Sequence, residues 1–177
     1  MLRQATRADL AGIWRVRYAV VENTLVPGRI GDDEVIEAIE QSGRGWVVEE
    51  GGQIVAFAIG SAIEGSVWAL FVDPAAQGTG HGSRLHDAML DWLWSQGLPR
   101  LWLNTGTDTK ARGFYERRGW RCTGVHGELE VRLEIANPGP LAEGSGILSP
   151  LSAPCGAARP PTVRRRRGSP RRTRSAP

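Results

Sequence analysis

A strand, a glycine-rich loop and a helix follow one another directly in residues 67–83, which read V-W-A-L-F-V-D-P-A-A-Q-G-T-G-H-G-S. Residues 67–72 are rich in the apolar residues that favour a buried strand. The loop then carries three glycines at alternate positions, Gly78, Gly80 and Gly82. The helix pattern that follows starts with free backbone N–H groups and a partial positive charge, and glycines let an anion approach the backbone closely. This stretch therefore predicts an anion site built from the backbone.

The spacing of the glycines separates three known kinds of phosphate loop. No lysine follows them, which excludes the P-loop of nucleotide hydrolases. The dinucleotide pattern G-x-G-x-x-G fails as well, because its third glycine would fall on Ser83 or Leu85. The remaining pattern resembles motif A of the GNAT superfamily of acyl-CoA-dependent N-acyltransferases, spelled [QR]-x-x-G-x-[GA]. Gln77, Gly80 and Gly82 fill its three defined positions.

A second segment, K-A-R-G-F-Y-E-R-R-G-W at residues 110–120, resembles the other half of the GNAT signature, N-x-x-A-x-x-F-Y-E-[KR]-x-G-[FW]. The matching residues are Ala111, Phe114, Tyr115, Glu116, Arg117, Gly119 and Trp120. One position departs from the pattern, because Asp108 stands where the family has an asparagine that contacts the pantetheine arm. An ionised aspartate accepts hydrogen bonds but donates none, which puts that contact in question.

The periodicity of the chain predicts the order β-α-α-β-β-β-α-β-α-β in residues 1–137. This is an α/β class with a mixed, mostly antiparallel central sheet and flanking helices, the order expected of a GNAT fold. The resemblance further implies an N-acetyltransferase that moves an acetyl group from acetyl-CoA, as co-substrate, to a primary amine of a small molecule or protein. The alternative from another class is a non-catalytic acyl-CoA sensor whose basic tail docks on nucleic acid.

The resemblance also assigns the residues that hold the co-substrate. Backbone groups of Leu70, Phe71 and Val72 are implied to pair with the pantetheine arm, and Asp108 stands at the position of the pantetheine-contacting asparagine. The pyrophosphate is expected on the loop and first helical turn, formed by Gln77, Gly78, Thr79, Gly80, His81, Gly82 and Ser83.

For catalysis, the resemblance places Tyr115 near the sulfur of the leaving thiolate as a general acid. Family members often use a glutamate at the start of the strand before the loop as general base, but Trp68 stands near that position. Glu64 in the preceding turn and Glu22 after the first helix remain as alternatives. Trp14 and Trp68 are favoured among the seven tryptophans as lining of an acceptor pocket.

The charge of the chain is unevenly distributed. Residues 1–137 carry 14 Lys and Arg against 18 Asp and Glu, whereas residues 138–177 carry 8 arginines against one glutamate. The tail is rich in Pro, Gly, Ser and Arg and is expected to be disordered, and nucleic acid is expected as a partner only through this tail. Two cysteines with no neighbouring ligands predict neither a disulfide framework nor a metal site. No membrane span or signal peptide is apparent, so a cytoplasmic location is expected, and a homodimer is left open.

Overall fold

The computed structural model describes residues 1–21, 30–127 and 129–139. The strands are β1 (Leu2–Gln4), β2 (Gly43–Glu50), β3 (Gln53–Ser61), β4 (Ser66–Val72), β5 (Arg100–Gly106), β6 (Arg121–His126) and β7 (Glu130–Ala136). The helices are α1 (Leu10–Ala19), α2 (Asp32–Glu40), α3 (His81–Ser95) and α4 (Lys110–Arg117). The strands form one sheet in the order β1-β2-β3-β4-β5-β7-β6, and only the β4–β5 pair is parallel.

Helices cover both faces of this sheet. The apolar stripe of α3, with Leu85, Met89 and Leu93 fully buried, packs on one face together with Tyr115 of α4. Helices α1 and α2 pack on the other face around Ile13 and the second layer of strand side chains. Burying a leucine or isoleucine stabilises the fold by about 1.5–3 kcal/mol each. The three-layer arrangement therefore follows from strands that are apolar on both faces.

Strand β4 contains a β-bulge at Trp68. Gly60 of β3 pairs with Val67 and Ile59 pairs with Ala69, so that Trp68 is the extra residue. A bulge bends its strand and increases the local twist. On its other side β4 pairs with β5 at a single register, Ser66 opposite Trp102, just before the bulge. Beyond it the two parallel strands diverge, and the backbone groups of β4 that face β5 have no strand partner.

The fold class predicted from the sequence, mixed α/β with a mostly antiparallel sheet and flanking helices, is confirmed. The element order needs one correction, because the structure adds strand β6, which pairs only with β7 at the edge of the sheet. Its half-buried positions are Cys122 and Gly124 rather than large apolar residues, so it carries little of the apolar alternation that marks a half-buried strand.

The expected disordered tail lies outside the described residues except for its first two positions, Pro138 and Gly139. No helix in the described ranges combines the length and apolar character needed to cross a membrane.

Candidate active site

The divergence of β4 and β5 opens a cavity of about 310 Å³, here called the first cavity. It extends from the gap between the strands to the glycine loop and helix α4. Its lining includes Val67, Trp68, Ala69, Leu70, Phe71 and Val72 of β4, Gln77 and Gly82 at the loop, Leu103, Asn104, Thr105 and Gly106 of β5, and Phe114 and Tyr115 of α4. An elongated substrate can therefore lie alongside β4 in the place that a paired strand would occupy.

A second cavity of about 400 Å³ lies under helices α1 and α2, on the opposite face of the sheet. It is lined by Ile13, Trp14, Arg17, Ile30, Val35 and Phe57. The two cavities share five residues at the β4–β5 gap, namely Trp68, Ala69, Phe71, Asn104 and Glu130. Because of this shared lining, two molecules that enter from opposite faces can meet at the gap.

The glycine loop presents free backbone donors beside the first cavity. Gly78 and Gly80 have φ angles of 80° and 84°, in the left-handed region that glycine tolerates best. Gly80 is the N-cap of α3. The first hydrogen bond within the helix runs from the N–H of Arg84 to the carbonyl of Gly80, at 3.1 Å. In the described part of the chain no protein acceptor takes the N–H groups of residues 77–83. Together with the positive end of the helix dipole, these donors suit a phosphate group.

Tyr115 is buried in an aromatic cluster at the floor of the first cavity. Its ring lies 5.2 Å from Phe114 and 5.5 Å from Trp120, measured between centroids, both edge to face. Only 6% of its surface is exposed, and burial raises the pKa of its phenol. Tyr115 therefore stays protonated across the physiological range and can offer an O–H donor to a group in the cavity.

The side chain of His86, on α3, packs against this aromatic cluster. The Trp120 indole N–H donates to His86 Nε2 at 3.0 Å, so Nε2 carries a lone pair and the ring proton lies on Nδ1, 3.1 Å from Asp87 Oδ1. Arg118 bonds the same Asp87 oxygen at 2.6 Å. Burial lowers the pKa of His86, and protonation would displace the indole donor. This neutral histidine therefore links α3 to Trp120, which follows α4 and packs against the ring of Tyr115.

The structure brings most of the sequence-predicted site residues together. Leu70, Phe71, Val72, Gln77, Gly82 and Tyr115 line the first cavity. Gly78, Thr79, Gly80 and Ser83 form the adjoining loop and first turn of α3, where the Thr79 hydroxyl donates to the Ala76 carbonyl at 2.6 Å.

Three other predicted residues lie away from both cavities. His81 is buried, and its Nε2 lies 3.1 Å from Oε1 of Glu50, the last residue of β2, rather than facing the first cavity. Asp108 is exposed in the turn before α4 and belongs to the lining of neither cavity. Glu64 is exposed in the β3–β4 turn, where it accepts a hydrogen bond from Ser66 at 3.2 Å. The fourth remaining candidate, Glu22, lies outside the described residues.

Sequence reasoning missed several polar residues that line the two cavities, among them Glu130, Asn104 and Arg17. Glu130 is the only carboxylate among the described residues that line either cavity. Asn104 Oδ1 is buried and accepts no hydrogen bond. Arg17 lies in the second cavity, and its one sequence signal was its position as a basic residue within the apolar stripe of α1. Among the described residues no group of three or more His, Cys, Asp or Glu is arranged to hold a metal ion.

Known proteins resemble this chain in sequence and in fold. The family model described as "Acetyltransferase (GNAT) family" matches residues 10–120, which span all elements from α1 to the end of α4. The chain belongs to the GNAT acetyltransferase family. This GNAT chain is 35% identical over 92 residues to a mycothiol acetyltransferase from Beutenbergia cavernae, a match that covers 49% of the chain and 31% of that protein. The matched region is thus less than a third of the relative's length.

Solved structures of GNAT proteins share the fold. An N-acetyltransferase from Staphylococcus aureus superposes with a TM-score of 0.63 at 21% identity, over 77% of this chain and 97% of that one. The PaiA N-acetyltransferase from Thermoplasma acidophilum, solved in complex with coenzyme A, gives a TM-score of 0.64 at 14% identity, over 77% and 98%. At these identities the likeness establishes the fold alone.

Proposed function

We propose that this GNAT protein transfers an acetyl group from acetyl-CoA to a primary amine, by direct attack within a complex that holds both substrates. The observation that carries the proposal is the gap between β4 and β5, which joins a cavity bordered by free loop N–H groups to a second cavity on the other face of the sheet. A donor and an acceptor that enter from opposite faces meet there without displacing each other. We assign this activity to residues 1–137.

The first cavity suits acetyl-CoA for two reasons. The N–H groups of residues 77–83 offer hydrogen bonds and a helix N-terminus to the pyrophosphate. The unpaired edge of β4, at Leu70, Phe71 and Val72, offers backbone donors and acceptors to the amide groups of pantetheine, as an added strand would use them. The volume of about 310 Å³ lies at the small end of the usual range for ligand sites, which fits a narrow arm rather than a bulky ring system.

The chemistry requires one proton to leave the amine and one to reach the sulfur. The amine nitrogen attacks the thioester carbonyl carbon, the C–S bond breaks, and the products are an acetamide and the free thiol of coenzyme A. A backbone N–H of β4 stabilises the negative charge on the carbonyl oxygen. Glu130, at the junction of the two cavities, takes the proton from the amine, and Tyr115 donates one to the thiolate. Solvent then restores both groups.

The raised pKa of Tyr115 is compatible with its role as acid. Burial makes the phenolate unfavourable, but it also makes a thiolate in the same cavity unfavourable, so the difference in proton affinity between the two groups is preserved. Since the phenol stays protonated, the rate should show no loss of the acid form below about pH 10.

The experiment is release of the thiol of coenzyme A from acetyl-CoA by the full chain, with a panel of primary amines. Tyr115→Phe should lower kcat at least about a hundredfold while leaving the dissociation constant of acetyl-CoA within about threefold, because only the O–H is removed. The matched control is Tyr18→Phe, because Tyr18 is the other tyrosine of the chain, is 55% exposed and lines neither cavity. If Tyr115→Phe turned over as fast as the wild-type protein, Tyr115 would not be the general acid. Binding of acetyl-CoA without turnover of any amine would favour the sensor alternative.

A further inference from the structure

Arg17 is the only lysine or arginine that is buried in the described part of the chain, with 9% of its surface exposed. Its guanidinium carbon lies 4.4 Å from the centroid of the Phe71 ring, a cation–π contact. Seven other arginines form ion pairs with carboxylates. Among the described residues, no carboxylate forms an ion pair with Arg17. Burial accordingly lowers the pKa of Arg17. A buried charge without an anionic partner is costly, and a bound anion would offset that cost.

The position of Arg17 indicates where such an anion would come from. Its side chain lines the second cavity, which we assign to the acceptor, and Phe71 beneath it also lines the first cavity. Glu130 lies in the same cavity yet does not pair with Arg17. The cavity therefore presents one positive and one negative charge that are not satisfied by each other, beside the unpaired Asn104 Oδ1 acceptor.

We propose that the acceptor is an amine that also carries a carboxylate, and that Arg17 binds this carboxylate. The inference rests on the proposed function. A guanidinium presents a planar fork of donors that matches a carboxylate, and one such group balances a monoanion, whereas a phosphate dianion would keep an excess charge. Glu130 and Asn104 face the ammonium end. The apolar surroundings, which include Ile13, Trp14 and Val35, favour an amino acid with an apolar side chain.

The test compares matched acceptors, leucine with leucinamide and phenylalanine with phenylalaninamide, in the thiol-release assay with the full chain. The rates are expressed per concentration of unprotonated amine, so that the lower amine pKa of the amides does not enter the comparison. Wild-type kcat/KM should favour the carboxylates at least about tenfold. Arg17→Met should abolish this preference and Arg17→Lys should retain part of it. Arg121→Met is the matched control, because Arg121 is exposed on β6 and lines neither cavity, and it should keep the wild-type ratio.

A preference that persists in Arg17→Met, or a wild-type enzyme that favours the amides, would overturn the inference while leaving the proposed function intact. Failure to acetylate any amine, neutral or charged, would contradict the proposed function instead. If no amine is acetylated, or if Arg17→Met does not fold, a binding measurement tests the role of Arg17 instead. With wild-type protein saturated by coenzyme A, N-acetylleucine should raise the melting temperature and N-acetylleucinamide should not. An equal effect of the two compounds, or no effect of either, would overturn it.

Discussion

Gly80→Ala tests the backbone geometry on which the anion site depends. Gly80 is the N-cap of α3 with a φ of 84°, and a Cβ added there would meet no atom within 4 Å. The cost of alanine is therefore conformational, about 1–2 kcal/mol for a left-handed residue with a side chain. For a domain of this size we expect the melting temperature to fall by about 3–8 °C. If the backbone rotates to relieve the strain, the loop N–H groups turn away, so acetyl-CoA should also bind more weakly.

Gly82→Ala, two residues further on, is the matched control for stability. Gly82 lies in the first turn of α3 without a positive φ, and its added Cβ would make ordinary contacts of 3.6 Å with Val72 and 3.8 Å with Phe114. Alanine in a helix stabilises by about 0.4–1 kcal/mol over glycine, so this variant should melt slightly higher. Thermal unfolding followed by circular dichroism, with calorimetric titration of acetyl-CoA, measures both effects. If Gly80→Ala proved as stable as Gly82→Ala and bound acetyl-CoA as tightly as the wild-type protein, the reasoning from the loop conformation would be wrong.

Two further predictions concern titrating groups. Glu130→Gln should lower kcat by about 10²–10⁴ near neutral pH. The loss should become smaller as the pH rises, because the amine then loses its proton without a base. Glu64→Gln should lower kcat far less, because Glu64 lines neither cavity. If Glu64→Gln proved the more damaging change, the assignment of the base would be wrong. The pKa of His86 is lowered in the folded state, so the unfolded chain takes up the proton at a higher pH than the folded chain does. The free energy of unfolding should therefore decrease as the pH falls below about 6.5, by up to about 1.4 kcal/mol per pH unit. His86→Gln removes the titration and keeps an acceptor for Trp120, so urea unfolding between pH 7 and pH 5 should show a weaker pH dependence; an unchanged dependence would refute the role given to His86.

The sequence predicted the parts of the fold that local periodicity determines. The apolar run of β4, the glycines of the loop and the helical stripe of α3 are contiguous signals, and the strand predicted over residues 67–72 corresponds to β4 at Ser66–Val72. Strand β6 escaped prediction because Cys122 and Gly124 occupy its half-buried positions, and so the sequence shows no alternation of large apolar and polar residues there. The bulge at Trp68 escaped because it is a property of how β4 pairs with β3, not of the residues of β4 alone.

The same distinction between local signals and tertiary arrangement applies to the residues of the site. Residues that belong to the contiguous loop and to the α4 segment could be named from the sequence, among them Gln77, Gly82 and Tyr115. Glu130 and Asn104 could not, because they lie on strands that are distant in the chain and reach the gap only through the order of strands β4, β5 and β7. Arg17 gave a local signal, a charge on an apolar stripe, but its meaning depends on the cavity that the divergence of β4 and β5 leaves beneath α1.

The most direct test of the account is the thermal melting of the full chain with and without acetyl-CoA. At a concentration of 100 times the dissociation constant, ligand binding stabilises the folded state by about 2.7 kcal/mol. For a domain of this size that corresponds to a rise of several degrees in the melting temperature. We expect this rise with acetyl-CoA and none with ATP or NADH at the same concentration. A folded protein whose melting temperature does not change with acetyl-CoA, or rises equally with all three, would contradict the claim that the β4–β5 gap and its glycine loop form an acyl-CoA site.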